Sequence, residues 1–191
     1  MAPSMVRVAR AASVCGLVLL LLGACKSAPG KSAGPSRPPS LSAPSPAATS
    51  LDPRSAAEQA ALAAYRGMWQ AFTAAGRTTN PHYDDLARFA DGDAFNVLVA
   101  GLESNKKQGL ITKGDLVPNP QVTQMTPADS PDTASIRDCL DTTQATRVKA
   151  TPGGSPFVDT PGGRRLVTAT AKNIGGTWKV ISVVPMAVGT C

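Results

Sequence analysis

The apolar periodicity of this chain switches once, at Gly109, and that switch limits its fold more than any other feature. Before it, apolar residues recur about every 3.6 positions; after it they alternate with a period of about 2. Ser55-Ala56-Ala57-Glu58 reads as a capping box opening a helix. Leu62, Tyr65, Met68, Trp69 and Phe72 then fall on one helical face, and Gly76 with Asn80-Pro81 ends it. A short second helix is expected at Asp84–Phe89, with two carboxylates at its positive end. A third starts at Asp93, carries Phe95, Leu98, Val99 and Leu102 on one stripe, and stops near Gly109.

Downstream, strands are expected at Leu110–Val117, Gln121–Thr126, Thr133–Asp141, Gln144–Lys149, Arg165–Asn173 and Thr177–Val184. Turn chemistry separates most of them: Pro118-Asn119-Pro120, Asp129-Ser130-Pro131, Pro152-Gly153-Gly154, Pro161-Gly162-Gly163 and Gly175-Gly176. In Thr133–Asp141, Ala134, Ile136 and Leu140 alternate with polar neighbours, and Asp138 is the residue out of pattern. Helices followed by a run of antiparallel strands make an α+β order, with three N-terminal helices packed on a curved sheet.

The first 53 residues are of another kind. Arg7 and Arg10 precede an apolar core, Ala11–Leu22, of about a dozen residues, against the roughly 20 that a membrane-spanning helix needs. With small residues at Gly23 and Ala24, residues 1–24 read as a cleaved export signal. Leu22-Gly23-Ala24-Cys25 resembles the lipobox of bacterial lipoproteins. That resemblance implies cleavage between Ala24 and Cys25 and a diacylglycerol thioether on Cys25. The protein would then be held at the extracytoplasmic face of the membrane, since two or more acyl chains anchor stably where one does not.

Lys26–Pro53 reads as a tether. Of its 28 residues, 21 are Pro, Ser, Ala or Gly, too few of them apolar to offset the entropy of ordering. Its prolines favour polyproline II, with a maximum reach of roughly 85 Å. The organisation expected is therefore 1–24 signal peptide, 25–53 lipidated N-terminus and tether, and 54–191 folded domain.

The net charge of +6 invites a nucleic-acid reading, but its distribution argues against one. From Arg54 onward Lys and Arg exceed Asp and Glu by only 2, with no basic stripe. The adjacent pairs Lys106-Lys107 and Arg164-Arg165 read as solvated surface. With Cys15 lost and Cys25 acylated, Cys139 and Cys191 remain, expected as one structural disulfide in an oxidising compartment. Two free thiols or a redox pair are the alternatives, and neither cysteine sits in a Cys-x-x-Cys motif.

Several segments resemble the nuclear-transport-factor-two-like (cystatin-like cone) superfamily, and more narrowly its exported actinobacterial members. They are Ala64-Tyr65-Arg66-Gly67-Met68-Trp69, Ile136-Arg137-Asp138-Cys139-Leu140-Asp141, Pro161-Gly162-Gly163-Arg164 with Val167-Thr168-Ala169-Thr170, and Trp178-Lys179-Val180. The resemblance covers Arg54 to Cys191 and implies a curved sheet wrapped around a long helix. It implies a pocket at Tyr65, Trp69, Phe72, His82 and Asp84.

Two function classes follow. One is a non-enzymatic binding or accessory module for a protein, lipid or cell-wall partner, with no cofactor and no metal. The other resembles ketosteroid isomerases and polyketide cyclases, with Tyr65 and either His82 or Asp84 as acid and base. A carboxyl in an apolar cone can have its pKa raised toward useful values. Yet Tyr65 shares a stripe with Leu62, Met68 and Trp69, so packing accounts for it without chemistry. His82 is the single histidine, too little for a metal site. No nucleophile elbow, P-loop or dinucleotide fingerprint occurs.

Overall fold

A computed structural model describes residues 52–153 and 156–191; the signal, the lipobox with Ala24 and Cys25, and nearly all of the tether lie outside them. The fold is α+β. Three helices, α1 (Pro53–Gly76), α2 (Asp84–Phe89) and α3 (Gly92–Lys107), precede six strands. The strands are β1 (Leu110–Lys113), β2 (Pro120–Thr126), β3 (Thr133–Asp141), β4 (Thr146–Lys149), β5 (Arg164–Ile174) and β6 (Thr177–Pro185).

Helix α1 begins two residues before the expected Ser55 cap. Asp52 is the N-cap, accepting from the Arg54 and Ser55 backbone N–H groups at 3.0 and 3.1 Å. Pro53 at the first helical position needs no hydrogen-bond acceptor and has its φ already fixed. Ser55 is drawn inside the helix, its hydroxyl donating to Asp52 at 2.6 Å. These contacts hold the Asp52 carboxyl below its usual range, the Ser55 hydroxyl contributing most.

The strands form a four-stranded antiparallel sheet of order β2-β3-β5-β6 and a separate ribbon, β1-β4. Bulges at Val122/Gln124 and Thr170/Ala171 bend the larger sheet. The first expected strand, Leu110–Val117, is cut short at Lys113. Gly114 follows it at φ +79°, where a Cβ would lie 1.8 Å from the Gln144 carbonyl oxygen, so the chain turns there. Val117 rejoins the larger sheet through a bridge to Asp141.

Alternation on β3 and β5 turns Ala134, Ile136 and Leu140, with Val167, Ala169 and Ala171, onto the face that α1 covers. Tyr65 and Met68 fill the centre of this core. Helix α2 lies close on α1 because residue 67 is glycine: a Cβ there would sit 2.6 Å from the Phe89 ring. The α2–α3 junction covers the free edge of β6, with Asp91 N–H donating to the Val180 carbonyl at 2.9 Å and Lys179 Nζ to that of Ala87 at 2.8 Å.

Past β6 the tail runs back along the start of β5. Met186 and Gly189 N–H donate to the Leu166 and Arg164 carbonyls, and Leu166 N–H donates to the Thr190 hydroxyl. Cys139, on the outer face of β3, is disulfide-bonded to Cys191, with Cα atoms 5.9 Å apart.

Candidate functional site

Two features of the domain concern function, and the first lies inside the core. Register puts Asp138 on the buried face of β3 with Ala134, Ile136 and Leu140. The α1 stripe brings Tyr65 opposite, and its hydroxyl donates to Asp138 Oδ2 at 2.9 Å. Asn119 N–H, from the Pro-Asn-Pro turn before β2, donates to Oδ1 at 2.6 Å. Tyr65 is 0% and Asp138 1% exposed, and no described cation forms a salt bridge to the carboxylate. Burial raises the Asp138 pKa, opposed by the Asn119 N–H, the Tyr65 hydroxyl and the charge of Arg66. Burial also pushes the Tyr65 phenol far up; the Trp69 indole opposes this and the Asp138 charge adds to it. Burial shifts both groups toward their neutral forms, and neither meets solvent. The pair ties α1 to β3 and to the turn before β2.

The second feature is a cleft of about 500 Å³ at the C-terminal end of α1. Aromatic edges lead to it from the core: Tyr65 packs edge-on against Trp69 at 6.2 Å, and Trp69 against Phe72 at 5.8 Å between centroids. Leu98 of α3, Leu140 of β3 and Val183 of β6 complete the apolar wall. Arg147 of β4 and Asp159 form the rim. The guanidinium donates twice to Asp159 Oδ1, at 2.8 and 2.6 Å, and the Arg147 backbone N–H donates to Oδ2 at 2.6 Å. Partial burial would raise the Asp159 pKa, but the backbone and guanidinium of Arg147 outweigh it and hold the acid ionised.

Arg165 of β5 also lines the cleft, and its situation differs. Its Nε is buried and has no hydrogen-bond partner, and no salt bridge reaches the side chain among the described residues. Trp69 is 5% exposed, and its Nε1 is likewise buried without a partner among the described residues. The indole lowers the Tyr65 pKa without reaching hydrogen-bond geometry with the phenol. The one carboxylate in the cleft is neutralised by Arg147, so Arg165 leaves the lining with a net positive charge.

The expected pocket set does not come together. Trp69 and Phe72 line the cleft, while Tyr65 is sealed beneath it. Asp84 belongs to a separate depression with Phe89 and Lys179, and His82 is exposed on the loop before α2. Tyr65 is thus partnered by Asp138 rather than by His82 or Asp84. Among the described residues, no three His, Cys, Asp or Glu side chains could hold a metal ion.

Two residues that matter carry a signal in the sequence, and one of them, Arg165, is not on the surface where its pair is expected. Asp138, out of pattern by chemistry, is in pattern by parity with Ala134, Ile136 and Leu140. Arg165 shares the parity of Val167, Ala169 and Ala171, which turns it inward, while Arg164 is exposed as the surface reading of that pair expects.

No family model matches the chain, and no curated protein does. Among solved structures, the intermembrane space region of the chloroplast protein ARC6 is similar at 13% identity. It covers 72% of this chain and 98% of its own, with a TM-score of 0.48. The periplasmic domain of DotI is similar at 15% identity over 74% of this chain and 100% of its own, with a TM-score of 0.45. Likenesses at this level add nothing to the reading of the site.

Proposed function

We propose that this chain is a membrane-anchored, extracytoplasmic lipoprotein whose cone-like domain is a non-enzymatic binding or accessory module. It would belong with the exported cone-domain proteins that its sequence resembles, with Cys25 as the acylated residue and a protein, lipid or cell-wall component as its partner.

The separation of the two sites carries the non-enzymatic half of this reading. The acid pair Tyr65 and Asp138 is enclosed where no substrate atom can reach it. The accessible cleft holds a carboxylate already committed to Arg147 and walls suited to burying apolar surface. The anchored half rests on the residue pattern Leu22-Gly23-Ala24-Cys25. Among the described residues no helix is long and apolar enough to cross a membrane.

Metabolic labelling with radioactive palmitate tests the anchor. The wild-type chain should take up label and sediment with membranes, and Cys25→Ser should lose both properties. A wild-type chain that stays unlabelled and soluble after export contradicts the proposal.

A further inference from the structure

We infer that the cleft between α1, α3 and the β1-β4 ribbon binds a small amphiphile with an oxyanion head, a carboxylate or a phosphate, held by Arg165. The inference rests on the binding-module reading and supplies the ligand class.

Charge and shape carry it together. A guanidinium lining a largely apolar cleft, with a buried Nε–H that meets no acceptor among the described residues, is costly unless something pairs with it. Asp159 is not that partner: it is paired with Arg147, and no salt bridge joins it to Arg165 among the described residues. Carboxylate and phosphate heads match the planar donor fork of an arginine. The apolar body of the ligand would lie against Trp69, Phe72, Leu98 and Val183. At about 500 Å³ the cleft has the size of a small-molecule site. Register supports the assignment: β5 pairs Arg165 with Leu140, so the cation stands directly beside apolar wall.

The test uses the full chain in lipid nanodiscs, titrated calorimetrically with octanoate, octyl phosphate and octanol after subtraction of empty discs. At least one of the two anions should bind saturably, one per chain, and roughly tenfold or more tighter than octanol. Octanoate alone would mark a carboxylate ligand, and octyl phosphate alone a phosphate; either supports the inference. Arg165→Gln should remove the preference for the anion, and Arg165→Lys should keep part of it. Gly101→Phe provides a variant independent of Arg165. Residue 101 lines the cleft on α3, where a Cβ meets nothing within 4 Å, so an added ring should block binding without lowering the melting temperature.

Equal affinity for octanol and the anions, no binding of any probe, or undiminished anion binding by Arg165→Gln would overturn the inference. These outcomes are separate from the anchor: failure of palmitate labelling would leave an octanoate result standing, and the reverse.

Discussion

A carboxylic acid enclosed in an apolar core makes stability depend on pH in the direction opposite to a salt-bridged one. Asp138 has its folded-state pKa raised, chiefly by burial. Its contribution is fully present below the unfolded value, about 3.9, and is lost as pH rises through the folded value. Asp138→Asn keeps an acceptor for Asn119 N–H and offers the Tyr65 oxygen a donor, with no charge to bury. The variant should be at least as stable as wild type at pH 7, and that advantage should shrink as pH falls toward 4. Urea unfolding of both proteins at several pH values checks this. A wild type that gains on the variant as pH rises would show that the buried carboxylate is stabilising as an anion. Tyr65→Phe removes one of the two donors to the carboxylate and should cost about 1–3 kcal/mol at neutral pH by the same measurement.

At the scale of elements, close approach fixes how the helices meet. Gly67→Ala improves helix propensity by about 1 kcal/mol, yet its methyl group would meet the Phe89 ring at 2.6 Å. Overpacking of that kind costs about 1–3 kcal/mol, so the variant should be no more stable than wild type, and most often less. In a Phe89→Ala background the same change should become stabilising. Thermal unfolding of the four proteins in this cycle measures the reversal.

Much of the element order was legible because local pattern decides it. The α2 boundaries follow from its acidic first turn and the Asp91-Gly92 break, and those of β3 from its flanking turn and its alternation. The start of α1 was not, because two N-terminal signals compete within four residues and Asp52-Pro53 captures the backbone donors first. The short β1 depends on a contact between Gly114 and Gln144 that no local window contains. The cleft has the same origin. Trp69 and Phe72 were readable as one face of a helix, but Arg147, Asp159 and Arg165 join them only through non-local strand pairing. Asp138 and Arg165 were nonetheless marked by parity, since a charged residue in phase with an apolar alternation faces inward wherever the register holds.

Across the whole molecule, the two ends of the chain are expected to be held in different ways. The Cys139–Cys191 bond closes a separation of 52 residues and pins the C-terminal tail onto the sheet. In the chain-entropy model such a closure stabilises by about 4 kcal/mol. Replacing both cysteines by alanine should therefore lower stability by about 2–4 kcal/mol in urea unfolding. Backbone exchange should rise over residues 186–191, where the tail hydrogen bonds lie. At the other end, Cys25 is proposed to meet the membrane and the cleft its ligand.

Native mass spectrometry of the membrane-extracted protein tests both assignments in one spectrum. The expected species is a chain beginning at Cys25, heavier by a diacylglycerol-type modification, that carries a small anionic molecule or a stoichiometric protein. A chain with an unmodified Cys25, or an acylated one that carries no partner at any extraction strength, would contradict it.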